Sequence, residues 1–195
     1  MKVEAAMMTD DFRKLPEVAQ KLERQGIDCA ISFEGPHDPF FPVLRAAERT
    51  ERLALATGVA IAFARNPMIC AQIAYDLQVY TTGRFILGLG SQIKPHIEKR
   101  FSMPWSKPTA RMREFVQAIR AIWHTWETND RLDFRGEFYT HTLMTPVFNP
   151  GPNPEGLPPI FTAGVGPKLI EVAGEVADGL YVHPLNTQSY LADVV

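Results

Sequence analysis

Cysteine is scarce: Cys29 and Cys70 are the two in 195 residues. Each lies in an apolar context (DCAIS, MICAQ), which argues against a disulfide framework and for buried free thiols in a reducing compartment. A block of one charge sign is also missing. The 20 Lys and Arg and 22 Asp and Glu are spread along the chain, leaving no electrostatic footprint for nucleic acid or a membrane surface. No apolar run approaches a spanning helix, and the first residues lack a basic-then-apolar signal layout. A cytoplasmic protein is expected. Metal-ligand spacing is absent too: His96 and Glu98 stand two apart on a predicted helix and do not share a face. No metal site is expected. Cys29 sits mid-strand with no histidine beside it, which disfavours a cysteine nucleophile.

What is present is an alternation. Short apolar runs predict strands at Val3 to Met8, Cys29 to Phe33, Leu53 to Ile61, Phe85 to Gly90, Ile160 to Ala163 and Gly179 to Val182. Helical periods lie between them. Leu15, Ala19 and Leu22 precede a stop at Gly26, and Asp38-Pro39 opens a helix through Val43, Leu44 and Ala47. Asn66-Pro67 repeats that opening ahead of Ile69, Ile73, Leu77 and Tyr80, with Gly83 closing. Phe115, Ile119, Ile122 and Trp126 mark a fourth helix, and Leu169, Val172, Ala173 and Val176 a fifth. Strand-helix repetition argues for parallel strands under covering helices. Residues 127–158 interrupt it with Gly136, Pro146, Pro150, Gly151, Pro152, Pro154 and Gly156, an insertion with a small hairpin around Arg135-Gly136-Glu137. The chain is read as one domain over 1–195.

Six strand-helix units suit an open doubly wound sheet or most of an eight-stranded barrel, which typically needs about 250 residues. Thr9-Asp10-Asp11 after the first strand contains no glycine, so a dinucleotide fingerprint is missing there. In either architecture ligands gather at the carboxyl ends of the strands. Those ends carry Glu34-Gly35-Pro36-His37-Asp38, Thr57-Gly58-Val59, Gly88-Leu89-Gly90-Ser91-Gln92, Ala163-Gly164-Val165-Gly166 and His183-Pro184. Bare glycine backbone there would let a flat ring approach closely. Asp38 reads as a helix cap, and His37 and Glu34 as surface residues or an acid/base pair. Gly164 and Gly166 read as a tight turn or an anion cradle before Pro167. Phe40, Phe63, Trp105 and Tyr139 suit either an apolar substrate wall or the core.

The segments EGPHDPFFPVLRAAERTERLALATGVAIAFARNP, DLQVYTTGRFILGLGSQ, FSMPWSKPTARMREFVQAIRAIW and PPIFTAGVGPKLIEVAGEVADGLYVHP resemble the bacterial luciferase-like superfamily. The likeness is to its coenzyme F420 (deazaflavin)-dependent oxidoreductases. It implies a (β/α)8 TIM barrel, with about six of eight units here, and a tricyclic ring across the strand ends. It places a cis peptide at Gly58-Val59 and ring-edge contacts at Thr57, Gly88, Gly90, Ser91 and Gln92, where many relatives have a further glycine at position 92. It places the ribityl and phosphate arm by Ala163, Gly164, Val165 and Gly166, with His183 nearby, and acid/base chemistry at Glu34 or His37. The implied activity is hydride transfer between F420 and a small organic substrate, in a homodimer. Relatives continue for roughly another third of a chain, so weak or no activity is expected of this chain alone. The rival expectations are an FMN-dependent luciferase-like monooxygenase, a non-catalytic shortened barrel acting as a binding or assembly module, and a metal-dependent hydrolase barrel, the last disfavoured by the absence of clustered ligands.

Overall fold

The computed structural model describes residues 2–9, 11–183 and 185–194; Asp10 and Pro184, each named above at a strand end, lie outside them. In chain order the elements begin with β1 (Glu4–Ala6), α1 (Leu15–Arg24), β2 (Cys29–Ser32), α2 (Phe40–Ala47), β3 (Ala54–Thr57) and β4 (Ala60–Ile61). There follow α3 (Pro67–Tyr80), β5 (Phe85–Gly90), α4 (Pro108–Thr128), β6 (Phe134–Arg135) and β7 (Thr140–His141). The last are β8 (Ile160–Ala163), α5 (Pro167–Val176), β9 (Gly179–Tyr181) and α6 (Gln188–Val194). The main sheet runs β1-β2-β3-β5-β8-β9, every pair parallel, with β4 paired to the far end of β5. This is a curled arc of six parallel strands with helices between them, an incomplete TIM barrel. Among the described residues β1 and β9 do not pair with each other.

Alternation along the strands sorts the two faces. Phe85, Leu87 and Leu89 of β5, Leu55 of β3 and Ile160 of β8 point to the helices, where they join Val43, Ala74, Phe115, Ile119 and Trp123 in the core. The apolar stripe of α4 explains its burial: Phe115, Ile119 and Ile122 are fully covered. Trp123 also donates its Nε1–H to the Ala71 carbonyl at 3.1 Å, tying α4 to α3. On the concave face, Ile86, Phe161 and Tyr181 stay half-buried. The Phe161 and Tyr181 rings pack together there at 5.3 Å.

Two helix glutamates hold loops in place, each by gathering three successive amides. Glu23 of α1 accepts from Glu51, Arg52 and Leu53 at 2.9, 2.7 and 2.8 Å. Glu114 of α4 accepts from Glu137, Phe138 and Tyr139 at 2.9, 2.8 and 2.6 Å, which anchors the β6–β7 hairpin. Burial alone would raise the Glu23 carboxyl, but its three amides hold it below the usual range.

Two boundaries differ from the sequence reading. The run Leu53 to Ile61 is two strands, β3 and β4, parted at Gly58–Val59, where the peptide is cis as the resemblance implied. Asp38 accepts from the Phe40 amide at 2.9 Å, so it does cap α2, although the regular helix begins one residue beyond Pro39. The hairpin around Gly136, the Asn66 cap on Met68 and the left-handed stops at Gly26 and Gly83 are where they were expected.

Candidate active site at the strand ends

The carboxyl ends of β3, β5, β8 and β9, together with β4, border one cleft of about 630 Å³. Gly58 and Val59 line it from the bend between β3 and β4. Gly90, Ser91 and Gln92 line it from the end of β5, and Ala163, Gly164, Val165 and Gly166 from the end of β8. Tyr181, Val182 and His183 follow β9 into it, and Trp105 and Pro108 cover one side. Ten of the expected cofactor positions therefore converge. The volume falls within the range of cofactor and small-molecule sites, about 300–1,000 Å³.

Thr57 and Gly88 do not line this cleft. The fully buried Thr57 donates its hydroxyl to the Gly88 carbonyl at 2.8 Å and accepts from the Gly88 amide at 2.9 Å. The Thr57 side chain thus replaces ladder bonds where the β3–β5 pairing stops at Ala56 and Ile86.

Three of the glycines have a packing reason that their pattern did not show. A methyl group on Gly88 would lie 1.8 Å from the Thr57 carbonyl oxygen and 2.7 Å from the Tyr181 ring. One on Gly90 would lie 2.5 Å from Val59, and one on Gly58 would lie 2.4 Å from Ile31. The protein's own packing already requires these three. Gly166 differs: a Cβ there would meet nothing within 4 Å. Gln92 takes a left-handed conformation, φ 59°, which a glycine accommodates without strain. Its side chain accepts from the Ile93 amide at 3.0 Å, and the Ser91 hydroxyl donates to its carbonyl at 3.1 Å.

Glu34 and His37 lie outside the cleft. Glu34, 6% exposed at its side chain, accepts from the Ile61 amide at 2.7 Å and pairs with Arg65. Arg65 also binds Asp38 at 2.9 Å. The Glu34 carboxylate is thus committed to holding the end of β2 against β4. His37 is exposed and lies edge-on to Phe12 at 5.1 Å. It borders a smaller hollow of about 80 Å³ with Met7, Ser32 and Phe33, beyond the ends of β1 and β2.

Of the four aromatics, Trp105 lines the cleft. Phe63 is fully buried behind it, with the rings 5.7 Å apart. Phe40 is core beneath the Arg65 guanidinium. Tyr139 accepts from Arg111 Nε at 2.8 Å. Arg111 and Tyr181 were missed. Arg111, 6% exposed, donates to the Pro104 carbonyl at 2.7 Å and stacks over Phe63 at 4.6 Å. Its signal was its place four residues ahead of Phe115, a charge in an otherwise apolar stripe. Tyr181 reaches the concave face with its hydroxyl buried and unpartnered. Burial, and then the nearby Cys29 and Glu4, push its phenol well above the ordinary value.

Comparison with known proteins follows this geometry. The chain is 56% identical over 185 residues to an uncharacterized protein of Mycobacterium tuberculosis, covering 95% of this chain and 54% of that one. It is 33% identical over 182 residues to an F420-dependent glucose-6-phosphate dehydrogenase of Nocardia farcinica, covering 86% of this chain and 52% of that enzyme. Its fold matches the monooxygenase RslO1 of Streptomyces bottropensis with a TM-score of 0.83 at 20% identity, over all of this chain and 63% of that one. The chain spans about half the length of the curated relatives it matches. The luciferase-like monooxygenase model matches residues 2–195, and the chain belongs to that family.

Proposed function

We propose that this chain carries the ring-binding part of an oxidoreductase that moves a hydride between coenzyme F420 and a small organic substrate. The observation that carries the reading is the apolar cleft onto which the ends of β3, β5, β8 and β9 converge. The Nocardia relative, whose name states F420 dependence, supports the deazaflavin over FMN. Bound there, F420 would supply the carbon that takes or returns the hydride.

The chain's own residues divide the remaining work. Val59, fixed above Gly90, forms an apolar floor, and the Ser91–Gln92 segment offers polar groups at the ring edge. Gly166, just ahead of α5, leaves room for an anionic arm, and the amides of the Gly164–Gly166 turn could meet it. Trp105 and Pro108 shield one side from water. A proton must leave or join the substrate oxygen as the hydride moves. His183 borders the cleft and His37 a separate, smaller hollow, and these two imidazoles are our candidates to move it, His183 the better placed. Glu34 is assigned to the scaffold, because Arg65 and the Ile61 amide occupy its carboxylate.

Titrating the 195-residue chain with oxidised F420, and separately with FMN, tests the reading through cofactor fluorescence. Saturable F420 binding at one site, weakened by Gly166→Asp, is expected. Binding of FMN in preference to F420 would move the assignment to an FMN-dependent monooxygenase, and binding of neither would overturn both.

A further inference from the structure

We infer that the part of the cleft formed by this chain takes an uncharged, apolar substrate, a hydrocarbon-bearing carbonyl compound or alcohol, and not a phosphorylated sugar. The inference rests on the reading above and adds the substrate class to it.

Charge is the first observation. Among the described residues that line the cleft, Lys94 is the one side chain with a permanent charge, and no arginine or carboxylate joins it. Lys94 is 61% exposed and lies 3.8 Å from Glu98, an open i,i+4 pair. A phosphate dianion taken out of water needs fixed cations, and a guanidinium fork serves best. Arg111, which packs behind the Trp105 wall, does not line the cleft. It is committed to Tyr139 and the Pro104 carbonyl, and it stacks over Phe63, the ring partner of Trp105. The amides before α5 can hold an anion, but the reading above assigns them to the cofactor's own arm.

The walls are the second observation. Ile61, Ile93, Trp105, Pro108 and Leu169 bound the cleft. At its rim Ile93 remains 56% exposed and Val165 68% exposed. Large apolar side chains left in water around a concave site favour an apolar occupant, because covering them releases their hydration water. The sugar phosphate in the name of the Nocardia relative has the opposite requirement.

The test uses the 195-residue chain and the neutral dye N-phenyl-1-naphthylamine, with F420 titrated separately. Dye fluorescence should rise saturably and be reversed by cyclohexanone but not by glucose 6-phosphate or inorganic phosphate. Ile93→Lys and Val165→Lys, both at exposed positions and checked for unchanged circular dichroism, should each weaken dye binding about tenfold. Displacement by glucose 6-phosphate, or dye affinity indifferent to both variants, overturns the inference while F420 binding leaves the functional reading standing. Failure of F420 to bind while the dye behaves as expected removes the functional reading instead, and with it the assignment of this apolar cleft to a redox substrate.

Discussion

Glu34 and Arg65 form an ion pair between the end of β2 and the turn after β4, with side chains 6% and 14% exposed. Asp38 closes the network on the solvent side at 2.9 Å from Arg65. Removing one partner from a covered pair leaves the other charge uncompensated, at a typical cost of about 3–5 kcal/mol. Glu34→Ala should therefore lower the urea midpoint sharply, and Glu34→Gln, which can still accept from the Ile61 amide, should do so less. Near-native stability in Glu34→Ala would contradict the scaffold role and reopen an acid/base one.

The Thr57 hydroxyl makes a second prediction, because it serves both the amide and the carbonyl of Gly88. Thr57→Val keeps the shape and strands two buried backbone groups, at about 1–3 kcal/mol for each group left unsatisfied. Thr57→Ser keeps the hydroxyl and should lie within about 1 kcal/mol of the parent. Equal midpoints for the valine and serine variants in chemical denaturation would exclude this role.

Gly90 and Gly166 separate packing from ligand space. Gly90→Ala brings a methyl to 2.5 Å from Val59, whereas at Gly166 it meets nothing within 4 Å. Overpacking typically costs about 1–3 kcal/mol, so Gly90→Ala should destabilise and Gly166→Ala should cost only a few tenths. Val59→Ala should partly rescue Gly90→Ala in a double-mutant cycle. Absence of coupling in that cycle would show that Gly90 is glycine for another reason.

Much of this architecture was legible from residue order. Phe85–Gly90 and Ile160–Ala163 matched their predicted strands because covered parallel strands read as continuous apolar runs. Asn66-Pro67 and Gly83 bracketed α3 because caps are local chemistry. The break at Gly58 was hidden in the apolar pattern, since Leu53 to Ile61 is apolar on both sides of it, and it was the resemblance that placed a cis peptide there. Gathering the strand ends into one cleft was legible once they were taken as one face. The reasons for the glycines were not, because a sequence records a missing Cβ without recording the Thr57 carbonyl or Val59 methyl that takes its place. The pairing of Glu34 was hidden for the same reason. Its partner Arg65 is 31 residues away, brought near only by the β2–β3 crossover.

The buried thiols set the behaviour at high pH. Burial pushes Cys29 and Cys70 from near 9 up to about 12, with Glu4 adding to the effect at Cys29. The folded chain then keeps these protons through a window in which the unfolded chain releases them. Fewer protons bound in the unfolded state means that stability falls as pH rises. The contribution is complete below about pH 9 and declines towards 12, by at most about 1.4 kcal/mol per pH unit for each thiol. The raised Tyr181 phenol acts with the same sign. Urea unfolding at pH 7, 9 and 10.5 should show the decline, and Cys29→Ala should flatten it. Thiol-reagent labelling at pH 8 should be slow in buffer and fast in denaturant. Rapid labelling of the folded chain at pH 8, or a midpoint that stays level to pH 10.5, would count against both thiols being protonated and enclosed.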